Sequence, residues 1–316
     1  MHNLTEVFPA GEVEINTSYE PFSQEPEYIE ANRLFIETLP LEGTRRILDL
    51  ACGTGTMTEG LLKQCQKLQG NRTNSSLESL PKVVGVDLSR ESLLLGQEHL
   101  AQLGFLVPPT PSTTAGGAVI LVEGTADCLP IADRSVDFVM MGNAIHMVSD
   151  RQALFGEVAR VLQPGGYFAF NTSFYAGTYV PGTEHIYMRW MQEAIAYIQK
   201  CNSERKAAGL PAIARQRGQA ARAFSSPWLS ADDYTRELGG CGLQVQTQNE
   251  RTVMLTQRSF ETIGAYTGLA KVLLSGYPVK FASEALVKAA EPTLVAVEMP
   301  EVPRYWLEMV FQKTTD

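Results

Sequence analysis

Asp49, Gly53 and Gly55 lie within Arg46–Thr58, which reads Arg-Ile-Leu-Asp-Leu-Ala-Cys-Gly-Thr-Gly-Thr-Met-Thr. The two glycines let the backbone approach a ligand closely. The start of the helix expected after them offers unpaired N–H groups to it. A dinucleotide fingerprint carries a third glycine three residues after the second, and Thr58 stands there instead. A carboxylate beside the turn would repel a pyrophosphate and attract a ligand bearing positive charge. Asp87 closes Lys-Val-Val-Gly-Val-Asp, where an acid can accept both hydrogen bonds of a ribose diol. S-adenosylmethionine, an adenosine with an ammonium and a sulfonium, suits these acids. The competing readings are a generic tight turn in an unrelated α/β protein and, for Asp87, a plain helix-start acid.

The elements that must position these residues alternate regularly. Ile47, Leu48 and Leu50 form a short apolar run expected to be a buried strand, and Leu61, Leu62, Cys65 and Leu68 share a helix face after it. Lys82–Asp87 reads as a second strand, with Ser89 capping a helix that carries Leu93, Leu94, Leu100 and Leu103. Val119–Val122, Val136–Met141 and Tyr167–Thr172 read as three further strands, with a helix over Asp150–Leu162. Pro26–Leu39 reads as a helix ahead of the first strand. Two polar inserts, 70–79 and 107–117, fall between a helix and the next strand, the end away from the ligand in a doubly wound sheet.

Leu-Asp-Leu-Ala-Cys-Gly-Thr-Gly, residues 48–55, resembles motif I of the class I S-adenosylmethionine-dependent methyltransferases, in the form seen in the ubiquinone/menaquinone-biosynthesis group. Motif order and spacing carry the resemblance over about residues 45–175, through Gly124–Pro130, Gly142–His146 and Pro164-Gly165-Gly166. It implies an α/β fold, a doubly wound seven-stranded Rossmann-like sheet with a mostly helical cap. The last strand would insert antiparallel beside the fifth. It implies S-adenosyl-L-methionine bound by Asp49, Ala51, Gly53, Gly55, Asp87, Leu88 and Asn143. Thr125, Ala126 and Asp127 would hold the adenine edge, although Thr125 stands where the family often has Asp. An N-terminal segment, 1–44, would fold over the cofactor, with Tyr19 lining the site.

Beyond the fifth strand, Tyr175, Tyr179, Tyr187 and Trp190 cluster, and Thr183–Ala208 reads as a long helix. The expected division is a core over 45–175, a helical cap over 176–240, and the last two strands with a helical insertion over 241–316. Tyr175, Tyr187 and Trp190 join Tyr19 as candidate pocket residues, with burial in a core as the competing reading for each. Ser230-x-x-Asp233 is a capping box. Leu243–Asn249 and Tyr305–Gln312 read as strands, and Phe260–Ala290 as mostly helical.

Methyl transfer to an oxygen or carbon acid needs a proton acceptor. His146 is the candidate, with His185 as the alternative and Glu184 also within the cap. An unperturbed imidazole titrates near pH ~6.5. With 26 Lys and Arg against 35 acids, the net charge of −9 disfavours a nucleic-acid partner. Five scattered cysteines give neither a disulfide framework nor a zinc spacing, and no carboxylate-rich metal site can be assembled. No apolar run reaches the length of a membrane span, and no signal peptide is seen, so a cytoplasmic enzyme is expected. The acceptor expected is a small, apolar or aromatic metabolite of secondary metabolism, with O-methylation favoured over N- or C-methylation. The alternatives are another enzyme on this scaffold, a cyclase or an aminopropyl transferase, and a non-catalytic S-adenosylmethionine-binding protein.

Overall fold

The computed structural model describes residues 20–69, 79–106, 118–216 and 228–315. Tyr19 and both polar inserts, apart from Ser79, lie outside the described residues. The chain forms two compact units, each discontinuous in sequence. A sheet unit takes Pro26–Val180, Ser226–Val253 and Arg304–Asp316, and a helical unit takes Met1–Glu25, Pro181–Ser225 and Met254–Pro303.

Seven strands build the sheet: β1 Arg46–Leu50, β2 Lys82–Asp87, β3 Val119–Glu123, β4 Val136–Gly142, β5 Leu162–Thr172, β6 Leu243–Thr256 and β7 Glu301–Lys313. Their order is β3-β2-β1-β4-β5-β7-β6. The first five are parallel, and β7 lies antiparallel to β5, with Thr172 opposite Leu307. The sheet therefore has the form the sequence implied. The order reverses between β1 and β4, which makes their carboxyl ends the switch point where such sheets bind ligands.

Both faces of the sheet are covered, so its central strands are apolar throughout rather than alternating. Leu48, Leu50, Val139, Phe168 and Phe170 pack on one face, with α5 Arg151–Val161 and α7 Ala231–Gly240. Ile47, Phe138 and Met140 pack on the other, with α2 Pro26–Glu37 and α3 Thr56–Gln69. Side chains fix where the helices start. Ser89 accepts from Ser92 N ahead of α4 Arg90–Gln102, and Asp150 accepts from Ala153 N ahead of α5. Ser230 and Asp233 form the reciprocal box that opens α7.

The boundaries differ from the sequence reading in two places. Residues 231–240 do not belong to the helical unit, because Tyr234 and Leu238 of α7 bury themselves among Phe155 and Phe170. β5 starts at Leu162 and runs through Pro164-Gly165-Gly166, with its pairing to β4 shifting between Val136 and Phe138. A Cβ at Gly166 would sit 2.9 Å from the Asp137 carbonyl oxygen, so the close crossing there requires glycine.

The helical unit contains α1 Glu20–Ser23, α6 Glu184–Ala207, α8 Gln257–Ala265, α9 Thr267–Leu273 and α10 Val279–Ala296. Ile186, Trp190, Ala194 and Ile198 form the buried stripe of α6. Ala282, Ala285, Ala289 and Ala290 give α10 a small-residue face that is almost wholly buried.

Candidate functional site

The site is built at the carboxyl ends of β1, β2 and β4. Asp49 on β1 is completely buried, and the Thr58 hydroxyl donates to its Oδ2 at 2.5 Å. Its other oxygen, Oδ1, has no hydrogen-bond partner among the described residues. Burial pushes the carboxyl up to about 7, helped by the nearby Asp87 charge and opposed by the bond from Thr58. A buried acceptor lacking half its partners suits a cationic ligand and disfavours an anionic one.

The turn that follows runs through left-handed backbone at Ala51 (φ 54°), Gly53 (φ 53°) and Gly55 (φ 86°). Asp87 fastens this turn to β2: its Oδ2 accepts from Gly53 N at 2.9 Å and its Oδ1 from Ser89 N at 2.8 Å. A carboxylate has about four acceptor positions, so each oxygen retains capacity for a ribose hydroxyl. Leu88 is 70 % exposed directly beside it, an apolar face turned to solvent next to the diol acceptor. Gly124 N donates to Asp87 O at 3.0 Å, which brings the Thr125–Cys128 turn alongside. Thr125, Ala126 and Asp127 are half-buried there, as an adenine edge would require.

Across β1 from Asp87 lies the end of β4. Leu50 pairs with Met141, so Ala51 and Gly142 are the next residues on adjacent strands. Asn143 follows in left-handed backbone, φ 46°, and is 96 % buried by its 4 % exposure. Its side-chain Oδ1 accepts from Ser173 N and Oγ at 2.8 and 3.2 Å. The Asn143 N–H is likewise taken, by the Asn171 side chain and carbonyl, so the segment is held from both its side chain and its main chain.

His146 lies in a short 3-10 turn, Ile145–Met147, after this strand. Its Nδ1 is 3.1 Å from Thr172 Oγ1, and its ring packs against Phe174 with centroids 4.4 Å apart. The Arg304 guanidinium covers the same phenyl ring at 5.1 Å and donates to the Ser173 carbonyl through Nε and Nη2. Burial, and then the Arg304 charge, pull His146 down to about 3. The sequence expectation of an imidazole titrating near neutrality is therefore corrected: His146 is neutral throughout the physiological range and a weak proton acceptor.

The remaining candidates are divided between the two units. Tyr175 is in the sheet unit but buried, its hydroxyl donating to Glu250 Oε1 at 2.6 Å. His185, Tyr187 and Trp190 belong to α6 of the helical unit, where His185 is exposed and Tyr187 stacks on Phe260. Trp190 is 3 % exposed, its indole N–H bonded to Leu286 O at 2.8 Å and its ring edge-on to Phe260. Its indole thus sits inside the core of that unit.

Three contributors escaped the sequence reading. Thr58, noted only for breaking a fingerprint, is the anchor of Asp49. Gly96 lies inside α4, where glycine costs helix stability, and a Cβ there would come within 3.3 Å of Gly53 O. Asn171 is an amide in the otherwise apolar run Tyr-Phe-Ala-Phe-Asn-Thr and donates to Asn32 on α2. The last two carried signals, a glycine in a helix and an amide in a buried strand.

Residues 48–170 match the methyltransferase domain family. The chain carries a class I S-adenosylmethionine-dependent methyltransferase domain. Its cofactor is S-adenosylmethionine. The methyltransferase domain is similar to the demethylmenaquinone methyltransferase of Anoxybacillus flavithermus, 30 % identical over 125 residues, 40 % of this chain and 43 % of that one. It is also similar to the ubiquinone/menaquinone biosynthesis C-methyltransferase UbiE of Campylobacter jejuni, 28 % identical over 156 residues, 45 % of this chain and 56 % of that one. The chain thus spans about half the length of these curated relatives. In fold it is similar to the YcgJ protein of Bacillus subtilis, with a TM-score of 0.52, 15 % identity, and coverage of 90 % of this chain and 98 % of that one. Among the described residues no helix is long and apolar enough to cross a membrane.

Proposed function

We propose that the protein methylates a small, apolar or aromatic metabolite at a hydroxyl oxygen, with S-adenosylmethionine as donor. The observation that carries the reading is the pair of acids flanking the glycine turn. Asp49 has an unsatisfied buried oxygen for a cationic ligand, and Asp87 has spare acceptor capacity for a diol. The cofactor supplies an electrophilic methyl carbon. Held at Asp49 and Asp87, it would supply that methyl group to the acceptor oxygen, whose hydroxyl proton would have to be released.

The protein's own part is alignment and the exclusion of water, which can contribute up to ~7–11 kcal/mol in favourable cases. Thr172 Oγ1 accepts from Phe174 N at 3.1 Å and lies 3.4 Å from Phe174 O, to which its own proton is directed. In this reading His146 Nδ1–H donates to Thr172 Oγ1, 3.1 Å away, the tautomer that leaves the Nε2 lone pair to accept from an acceptor hydroxyl. A base this weak suits an acceptor with an acidic hydroxyl of its own, such as a phenol or enol.

A second reading is carbon methylation of a hydroxylated ring. It is supported by the names of the curated relatives, which include a C-methyltransferase. Incubating the protein with methyl-labelled cofactor and a metabolite extract, followed by mass spectrometry, tests both readings. A labelled product with an O-methyl fragment supports the first, and a ring-methyl fragment the second. Demethylated cofactor without labelled product would sink both.

A further inference from the structure

Asn171 and Asn32 form a buried amide relay between α2 and the end of β4. Asn171 Nδ2 donates to Asn32 Oδ1 at 2.7 Å, and Asn171 Oδ1 accepts from Asn143 N at 2.8 Å. Asn171 is fully buried and Asn32 nearly so, at 3 % exposure. In the sheet, Asn171 lies opposite Gly142 on one side and Glu308 on the other. The relay therefore crosses from the N-terminal helix, through a central strand, to the main chain after β4.

Its far end is a strained residue. Asn143 holds φ 46°, a conformation that side-chain-bearing residues adopt at a cost. Its backbone N–H is shared between the Asn171 side chain and the Asn171 carbonyl, and its own amide oxygen is held by Ser173. Buried amide pairs can be replaced by apolar groups of like shape at little cost to stability. An amide that only filled space would be replaceable, whereas one that aims a neighbouring N–H is not.

The direction of the cofactor follows from the sheet. The ribose acceptor Asp87 ends β2, on one side of β1. Asn143 follows β4, on the other side. A ligand with its ribose at Asp87 and its charge at Asp49 therefore extends its amino-acid end toward Asn143. The same helix that carries Asn32 carries Tyr28, which is buried and close enough to Asp49 to sense its charge.

We propose that Asn171 is a positioning residue for the amino-acid end of the methyl donor, holding the Asn143 turn in its left-handed shape through a relay anchored on Asn32. This rests on the assignment of S-adenosylmethionine to the site. The test compares two ligands, S-adenosylhomocysteine and adenosine, which lacks the amino-acid end. Binding of S-adenosylhomocysteine to the wild-type protein by calorimetry checks the cofactor assignment first and separately.

The variant is the double substitution Asn32→Leu/Asn171→Leu, which removes both amides together. S-adenosylhomocysteine is expected to bind at least about tenfold more weakly, while adenosine changes by less than about twofold, as for the loss of hydrogen bonds at one end of a ligand. Parallel weakening of both ligands, or no weakening of either, overturns the proposal. If the double variant does not fold, Asn32→Leu alone decides, being at the remote end of the relay. The same split between ligands supports the proposal, and its absence overturns it.

Discussion

The Thr58 hydroxyl lies 2.5 Å from Asp49 Oδ2, one turn into the helix that follows the glycine loop. It leaves the second carboxylate oxygen bare in a fully buried position. The residue that departs from a dinucleotide fingerprint thus holds the acid that selects a different ligand.

A pH dependence with two opposite signs follows. The Asp49 carboxyl is raised from 3.8 to about 7, so the folded protein binds this proton more tightly than the unfolded chain does. Its contribution to the stability of the ligand-free protein is full below pH ~3.8 and is lost as pH rises through about 7. A cationic ligand prefers the ionised acid, so affinity moves the other way. S-adenosylmethionine should bind more tightly from pH 5 to pH 8, by up to roughly tenfold per unit below 7. Asp49→Asn should flatten both trends while weakening binding. Calorimetry and thermal unfolding across this range check it, and a wild-type affinity independent of pH would count against the assignment of charge recognition to Asp49.

Asp87 bears on affinity in two ways, through the ribose and through its hold on Gly53 N and Ser89 N. Asp87→Ala should weaken S-adenosylhomocysteine binding by ~1–3 kcal/mol, the scale of leaving charged hydrogen bonds unmade. Asp87→Asn, which keeps one acceptor oxygen, should lie between the two. Calorimetry that finds both variants within about twofold of wild type would remove Asp87 from the cofactor site, since even one lost bond exceeds that.

Much of the sheet was legible because its signal is local. A buried parallel strand must be apolar on both faces, so Ile47–Leu50, Val83–Val86 and Phe138–Met141 announce themselves, and the turns between them need glycine or caps. Asp49, Gly53, Gly55 and Asp87 could be nominated from the sequence because ligand groups meet such sheets at strand ends, and the structure brings these four residues together around one turn. What stayed hidden depends on contacts distant in sequence. The relay from Asn32 to Asn171 spans 139 residues, and nothing local marks two asparagines as partners. The titration of His146 was hidden for the same reason, since it is depressed first by burial and then by Arg304, which arrives on the last strand. The assignment of α7 failed because its apolar face specifies burial but not against which partner.

His146 provides a prediction about rate. Because burial and Arg304 hold it down to about 3, its ionisation cannot appear between pH 5 and 8. At saturating cofactor, kcat should show no limb assignable to His146, and His146→Ala should keep the wild-type profile shape at a lower level. The loss expected is roughly tenfold to hundredfold, the scale of a misaligned acceptor. A limb near pH ~6.5 that vanishes in His146→Ala would restore the general-base role. The NMR signals of the His146 ring, followed over the same range, should stay fixed.

Trp190 separates a core role from a pocket role. Its indole N–H is bonded to Leu286 O at 2.8 Å, and its ring meets Phe260 edge-on with centroids 4.9 Å apart. Gly264 packs so closely that a Cβ there would lie 3.2 Å from the indole Cζ2. Removing such a side chain empties the seam between α6, α8 and α10. Trp190→Ala should therefore cost about 3–5 kcal/mol of stability, the range for large-to-small substitutions of buried aromatics. Trp190→Phe keeps most of the packing and loses only the hydrogen bond to Leu286 O, whose carbonyl remains within its own helix, a loss of about 0.5–1.5 kcal/mol. Urea unfolding monitored by far-UV circular dichroism reads both. A pocket role makes the contrary prediction: both variants unfold like the wild type, and only the Michaelis constant for the acceptor rises.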